Sequence, residues 1–158
     1  MDNAIAHTKQ ELDRACLRLE HLFELTPDDR IHWSPSPTAR TPIQLITHSA
    51  SALEGIQKMV GGEPFPYKNL ADADADWRQM EKQVNSRSEA LALLHEKAEG
   101  YKKWLDSLTS EQLASTAHLP FGEMPFSVAI TFGTMHTSFH SAQLEYLQTI
   151  YGDHDWHQ

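Results

Sequence analysis

The sequence has few of the features that mark secreted or membrane-spanning proteins. It contains one cysteine, Cys16, so no intramolecular disulfide can form and a reducing cytoplasm is the expected compartment. No run of apolar residues approaches the roughly 18–20 that a membrane span requires. The first residues, Met1-Asp2-Asn3, are polar and acidic, unlike the basic start of a secretory signal. We therefore expect a cytoplasmic protein without a membrane partner.

Positive charge is also scarce. The chain carries 13 Lys and Arg against 22 Asp and Glu, which gives a formal net charge of −9 at pH 7. An acidic surface repels phosphate backbones, and the basic residues are scattered among acids, so we expect no nucleic acid among the partners. The length of 158 residues suits a single domain spanning 1–158, and 40% hydrophobic residues suffice for its core.

Strand-like alternation is absent over any useful length, whereas helical spacing recurs along the chain. In the first segment Leu12, Leu19 and Leu22 share one helical face. The residues Thr41-Pro42-Ile43-Gln44 predict a capped helix start, and Gly61-Gly62 predicts the end of that helix. The predicted helices span residues 4–25, 42–60, 87–108 and 126–151.

Residues 63–85 are the least regular part of the sequence. Pro64 and Pro66 interrupt regular structure, and the alternating Asp72, Asp74 and Asp76 lack the glycine and glutamate of a calcium loop. We expect a long connection here, with a short helical piece around 77–84. The predicted fold class is therefore all-α, a four-helix bundle with a long crossover between helices two and three.

Histidine is the one abundant functional residue type, with ten in the chain. On a helical wheel, His136 and His140 lie one turn apart in the middle of the apolar face of the last helix. Burial of an unpartnered imidazole is unfavourable, so their ring nitrogens need partners. Hydrogen bonds within the core, an acid–base pair and a metal site are all compatible with this placement, because histidines four residues apart on a helix can ligate one ion.

A third ligand would have to come from another helix. His48 on the second helix and His95 on the third both lie at the border of an apolar stripe, and periodicity does not choose between them. The remaining histidines are expected on polar faces, in loops or in the terminal tail; they are His7, His21, His32, His118, His154 and His157.

A set of residues in order along the chain resembles the pattern of the DinB-like (YfiT-type) superfamily of bacterial four-helix metalloproteins. These residues are Trp33, Pro35, Thr41, His48, His136, His140 and Gln143. The resemblance implies a nickel or zinc ion held by His48, His136 and His140, and a homodimer. It also implies, from some branches, transfer of a low-molecular-weight thiol onto a substrate. Where the family often has His-Arg-Gly-Gln, this chain has His140-Ser141-Ala142-Gln143, so the substrate contacts of the family are not carried over.

Two functions follow as hypotheses. The first is a metal-dependent enzyme, either a thiol S-transferase or a small hydrolase. No carboxylate is expected on the inner faces of helices two and four beside the histidines, which favours a metal site that works without a separate general base. The alternative is a non-catalytic dimeric binding module, metal-free or with a structural metal, for which Trp104 is a candidate exposed contact. Four aromatic residues are candidates for a pocket wall or for the core, with the core favoured for the phenylalanines: Trp33, Phe132, Phe139 and Tyr151.

Overall fold

The computed structural model describes residues 2–157; Met1 and Gln158, the ends of the predicted domain, lie outside the described residues. Four long helices dominate, as predicted: α1 (Asp2–Leu25), α2 (Pro42–Val60), α4 (Arg87–Asp106) and α7 (Phe132–Ile150). Between them lie the shorter helices α3 (Leu70–Glu81), α5 (Ser110–Leu113) and α6 (Phe126–Ala129). A hairpin of strands β1 (Thr116–Leu119) and β2 (Gly122–Pro125) completes the fold. Among the described residues, no helix is long and apolar enough to cross a membrane.

The start of α2 is fixed by the predicted capping box. The Thr41 hydroxyl accepts a hydrogen bond from the Gln44 backbone N–H at 3.4 Å, and the Gln44 side chain accepts one from the Thr41 N–H at 3.0 Å. Pro42 occupies the first turn, where its missing N–H is not needed. This cap determines where the helix begins, and with it the side that each following residue faces.

Ion pairs show that α1 runs antiparallel to α4. Lys9 near the start of α1 contacts Asp106 at the end of α4, and Asp13 contacts Lys102 one turn earlier in α4, both at 2.8 Å. The two helices therefore approach each other in opposite directions.

The contacts of α1 with α7 advance in the same direction along both helices. Arg18 Nη2 lies 2.8 Å from Glu145 Oε1, and the Gln148 side chain donates to the Leu22 carbonyl oxygen at 2.8 Å. Hence α7 is parallel to α1.

The second and third long helices are also parallel neighbours. Glu54 contacts Lys97 at 2.7 Å, and seven residues further along each helix Gly61 lies beside the Trp104 indole. Because α2 and α4 run the same way, the chain between them must travel back along the bundle. This confirms the predicted crossover.

The crossover differs in detail from its prediction, because it contains the 12-residue helix α3. Asn69 caps this helix by accepting a hydrogen bond from the Asp72 backbone N–H at 2.9 Å, and Asp72 in the first turn complements the helix dipole. Pro64 and Pro66 precede the cap and so do not interrupt the helix. The prediction of a short helical piece at 77–84 was therefore wrong in its bounds.

The last predicted helix, 126–151, is divided in two. Ile130 and Thr131 separate α6 from α7, and the Tyr101 hydroxyl donates to the Ile130 carbonyl oxygen at 2.9 Å. This buried hydrogen bond from α4 satisfies a backbone acceptor at the break.

The hairpin was not predicted. It pairs Thr116 with Pro125 and Leu119 with Gly122, and Gly122 adopts a φ of +138°, which favours glycine. Each strand has four residues, and only Ala117 and Leu119 alternate into the core, so the period of two is too short to recognise in the sequence.

The core lies between the four long helices. Its largest side chains with almost no exposed surface are Leu12, Leu19, Leu22, Phe23, Ile43, Ile46, Leu53, Leu94, Tyr101, Leu105, Ile130 and Leu144. Trp104, expected to be exposed, is partly buried, with its ring 5.1 Å from the Tyr101 ring and 6.4 Å from Phe126.

Candidate metal centre

Three histidines from two antiparallel helices meet inside the bundle. His48 comes from α2, and His136 and His140 come from α7. Each has one ring nitrogen within 4.8 Å of those of the other two. His48 is 7% exposed and His140 6%, while His136 is half-buried. The structure thus brings together all three residues that the sequence analysis singled out.

His95, the other sequence candidate, lies elsewhere. Its side chain is exposed, and its Nε2 is 3.0 Å from Glu20 Oε2 at the contact between α4 and α1. It therefore cannot share a ligand set with His136 and His140 in this fold.

Close helix packing near the triad depends on Gly133, which lies one turn before His136 on α7. A Cβ atom at this position would lie 2.9 Å from both Leu53 Cδ2 of α2 and Tyr101 Cζ of α4. Only glycine lets α7 pass so close to these side chains, which keeps the first turns of α7 close to α2.

The first ligand candidate, His48, has an acidic partner on its outer side. Glu81, the last residue of α3, places Oε1 2.8 Å from His48 Nδ1. Arg40 Nε lies 3.0 and 2.9 Å from the two carboxylate oxygens of Glu81. Arg40 also contacts Asp74, which in turn pairs with Arg78, each at 2.7 Å.

Sequence reasoning missed Glu81. Only the helices predicted at 42–60 and 126–151 were considered as sources of nearby carboxylates, whereas Glu81 lies on the crossover helix α3. The signal that would have found it is the spacing of four between Ala73, Trp77 and Glu81. Ala73 and Glu81 are buried, and the Trp77 ring lies 5.8 Å from the His48 ring.

On α7, the other helix of the site, Gln143 holds His140 in place. His140 Nδ1 is 2.8 Å from the Gln143 side-chain oxygen, one turn further along α7. An amide oxygen only accepts, so Nδ1 of His140 carries the proton and Nε2 keeps its lone pair. His140 Nε2 lies 2.9 Å from His136 Nε2. Two lone pairs repel at this distance unless a proton or a cation lies between them.

The electrostatics keep the histidines of α7 neutral. Burial lowers the pKa of His136 to about 3, with further contributions from the neighbouring His140 and His48. Burial also lowers the pKa of His140 to about 4, and His48 adds to the effect. Neutral imidazole is the form that binds metal ions, so these two rings are available as ligands at neutral pH.

The carboxylate of Glu81 is ionised. Burial by itself would raise its pKa, but hydrogen bonds from His48 and Arg40 hold that pKa below the ordinary value. An ionised carboxylate accepts only, which assigns the shared proton to His48 Nδ1 and leaves His48 Nε2 as the free donor atom.

Taken together, these residues fit a divalent ion. Imidazole nitrogens suit zinc and nickel, and two of the three rings are fixed in the tautomer that leaves Nε2 free. Three neutral ligands leave the charge of an ion uncompensated and, at tetrahedral coordination, leave one position open.

Of the aromatic residues near the site or expected there, one contacts the triad and others lie at the protein surface. Trp77 packs against His48, whereas Phe139, favoured as a core residue, is 59% exposed. Trp33 and Tyr151 form a separate edge-to-face pair, with 5.8 Å between ring centres, beneath the Arg30 guanidinium.

Two surface cavities lie away from the triad. One of about 520 Å³ lies between α1 and the end of α4, and one of about 310 Å³ lies along the C-terminal tail.

Comparison with known proteins identifies the family. The sequence pattern of the DinB superfamily matches residues 11–144, and the chain belongs to that superfamily. No curated protein matches the sequence closely.

Solved structures share the fold. One, described as the sibling lethal factor precursor DfsB, has a TM-score of 0.75 and 18% identity, with 94% of this chain and 96% of that chain covered. YfiT from Bacillus subtilis, described as a probable metal-dependent hydrolase with an unusual four-helix bundle topology, has a TM-score of 0.68 and 20% identity, covering 94% and 87%. A conserved protein from Enterococcus faecalis has a TM-score of 0.68 and 17% identity, covering 93% and 96%.

Proposed function

We propose that the protein is a metal-dependent enzyme. It binds one divalent ion, nickel or zinc, through His48, His136 and His140. The observation that carries this proposal is the meeting of three imidazole nitrogens within 4.8 Å of one another inside the bundle. Membership of the DinB superfamily supports it, as does the description of the structurally similar YfiT as a probable metal-dependent hydrolase.

The reaction class proposed is hydrolysis of a small substrate or transfer of a low-molecular-weight thiol. A divalent ion at this site would act as a Lewis acid and lower the pKa of water or of a thiol that binds it. Glu81 is occupied by His48 and Arg40, so it is not free to act as a general base. The protein's own thiol is also unsuitable, because burial raises the pKa of Cys16 to about 12. The nucleophile must therefore come from solvent or from the substrate.

Metal content of histidine variants tests the metal site. Protein purified without chelators, then equilibrated with zinc or nickel, should hold one ion per chain by elemental analysis. His48→Ala, His136→Ala and His140→Ala should each lose most of it, since removing one of three ligands weakens a site by more than the roughly 10–100-fold seen for outer partners. His95→Ala is the matched control and should keep full content. Retention of full metal by His48→Ala, or a metal-free wild type, would overturn the assignment.

Cobalt substitution separates the enzymatic hypothesis from the non-catalytic one. In the cobalt-loaded protein, a small thiol such as cysteine should give a thiolate-to-metal charge-transfer band if it is a substrate. An exchangeable site without that band, combined with ester or amide cleavage, would favour a hydrolase. A cobalt spectrum insensitive to every added small molecule would favour the alternative of a structural metal in a binding module.

We further propose that the protein is a cytoplasmic homodimer joined through the outer face of α7. This face consists of Met135, Phe139, Tyr146 and Ile150, which are 44%, 59%, 68% and 45% exposed. Their spacing of four, seven and four keeps them on one side of the helix. Glu145 is the one residue of α7 that is Asp, Glu, Lys or Arg, so in a chain of net charge −9 this face offers a second copy an approach with little charge repulsion.

A further inference from the structure

Glu81 is an unusual residue for the inside of a helical bundle. It is 2% exposed, although ionised carboxylates are rarely buried without strong partners. Its two oxygens contact only His48 and Arg40 among the hydrogen bonds of residues 2–157. A buried charge held by a histidine on one side and an arginine on the other needs an explanation.

One explanation is structural. Arg40 lies just before α2 and contacts both Glu81 and Asp74 of α3, so the three charged groups attach the crossover helix to the start of α2. This role accounts for the Arg40 side of Glu81. It does not account for the hydrogen bond to His48, whose ring is held by its backbone position on α2 and by packing against Trp77.

The contact with His48 has a chemical consequence. A neutral imidazole exchanges its proton between two nitrogens, and only one tautomer presents the lone pair that a metal requires. A carboxylate at 2.8 Å from Nδ1 selects the tautomer with Nε2 unprotonated. It also makes the imidazole a stronger donor, because the ring shares the negative charge of its partner.

We propose that Glu81 is a positioning residue for the metal centre: its carboxylate, which Arg40 holds in place, fixes His48 as an Nε2 ligand and so links the metal to the crossover helix. This inference rests on the proposed function. It assigns to α3, which supplies no member of the triad, a direct effect on metal affinity. Gln143 plays the corresponding part for His140 with a neutral amide, so the two rings differ in the charge of their outer partner.

Zinc affinity of two matched variants tests the proposal. Glu81→Gln keeps the shape of the side chain and removes its charge, and Glu54→Gln removes a carboxylate that pairs with Lys58 and Lys97 away from the triad. Competition against a chromophoric chelator should show that Glu81→Gln binds zinc about 10–100-fold more weakly than the wild type. Glu54→Gln should bind zinc as the wild type does. The melting temperature of each metal-free protein is measured alongside, so that a loss of stability is not mistaken for a loss of affinity.

A second measurement does not depend on the variant folding. Long-range 1H–15N spectra of the metal-free wild type at pH 8 should show His48 with its proton on Nδ1. A proton on Nε2, or zinc affinity of Glu81→Gln equal to that of the wild type, would overturn the inference while leaving the metal site intact. A wild type that binds neither zinc nor nickel would instead overturn the proposed function, and the inference with it.

Discussion

At the scale of single residues, Gly133 shows how closely α7 packs against its neighbours. Alanine in place of an exposed helical glycine usually stabilises by up to about 1 kcal/mol. At Gly133 the added methyl group would overlap Leu53 and Tyr101, which are themselves fully buried. We expect Gly133→Ala to lower the free energy of unfolding by about 1–3 kcal/mol, as overpacking of a core typically does.

Urea denaturation of metal-free protein measures this effect without a contribution from bound ions. Gly100→Ala is the matched control, because Gly100 is an exposed glycine of α4 with no atom within 4 Å of the added methyl group. It should be neutral or slightly stabilising. Equal responses at Gly133 and Gly100 would mean that α7 does not approach its neighbours as described.

The candidate site was predictable residue by residue only in part. His136 and His140 share one helix, so their placement one turn apart on the same side of it follows from a period of 3.6 residues alone. The choice between His48 and His95 depends on how two helices are rotated against a third, which periodicity within one helix does not determine. Glu81 depends on the path of the crossover, and its partner Arg40 lies in a loop. The residues missed are therefore those whose positions are set by tertiary packing.

At the scale of elements, Glu54 connects the parallel helices α2 and α4. Hydrogen bonds from Lys58 and then Lys97 lower its pKa to about 2. A carboxylate with a lowered folded-state pKa contributes stability above its unfolded pKa, near 4.5, and loses it as the pH falls toward 2. We therefore expect the melting temperature of Glu54→Gln to lie below that of the wild type at pH 6 and to converge with it near pH 2.

Thermal melts of both proteins between pH 2 and pH 6 check this expectation. Subtracting one curve from the other removes the titration of every group that they share, including the histidine triad. Glu24→Gln serves as control, since Glu24 is exposed and has no ion pair among the described residues. A difference that stayed constant across this range would show that the charge of Glu54 is not what joins the helices.

The elements themselves were predicted with uneven success, for reasons visible in the sequence. The first three long helices have apolar stripes and, at α2 and α4, capping boxes, and their bounds were confirmed to within a few residues. The crossover helix α3 begins at Leu70, after the cap residue Asn69, which lacks the reciprocal glutamate or glutamine of a capping box; the prediction recognised only its end, as part of a piece at 77–84. The break at Ile130 is satisfied by Tyr101 from another helix, so no local pattern indicates it.

For the whole molecule, helix order determines where the site lies. Around the bundle the order is α1, α4, α2 and α7, so the first two long helices are not neighbours and the parallel pair α2 and α4 requires a crossover. That crossover passes the start of α2 on its way to α4 and brings Glu81 to His48. In a simple up-and-down bundle consecutive helices are antiparallel and joined by short loops, so there is no crossover helix that could carry Glu81 to His48.

The same arrangement leaves the outer face of α7 without a helix to cover it, and this leads to the prediction on assembly. If a second copy covers the face, light scattering at micromolar concentration should give a mass near twice the 17.9 kDa of one chain. Tyr146→Lys would place a charge in the middle of the interface, where burial without a partner is unfavourable, and should yield monomers. Leu17→Lys is the matched control, because Leu17 is 64% exposed on α1, close to the 68% of Tyr146, and lies outside this face. A monomeric wild type, or a dimer that persists in Tyr146→Lys and dissociates in Leu17→Lys, would show that a second copy does not cover this face of α7.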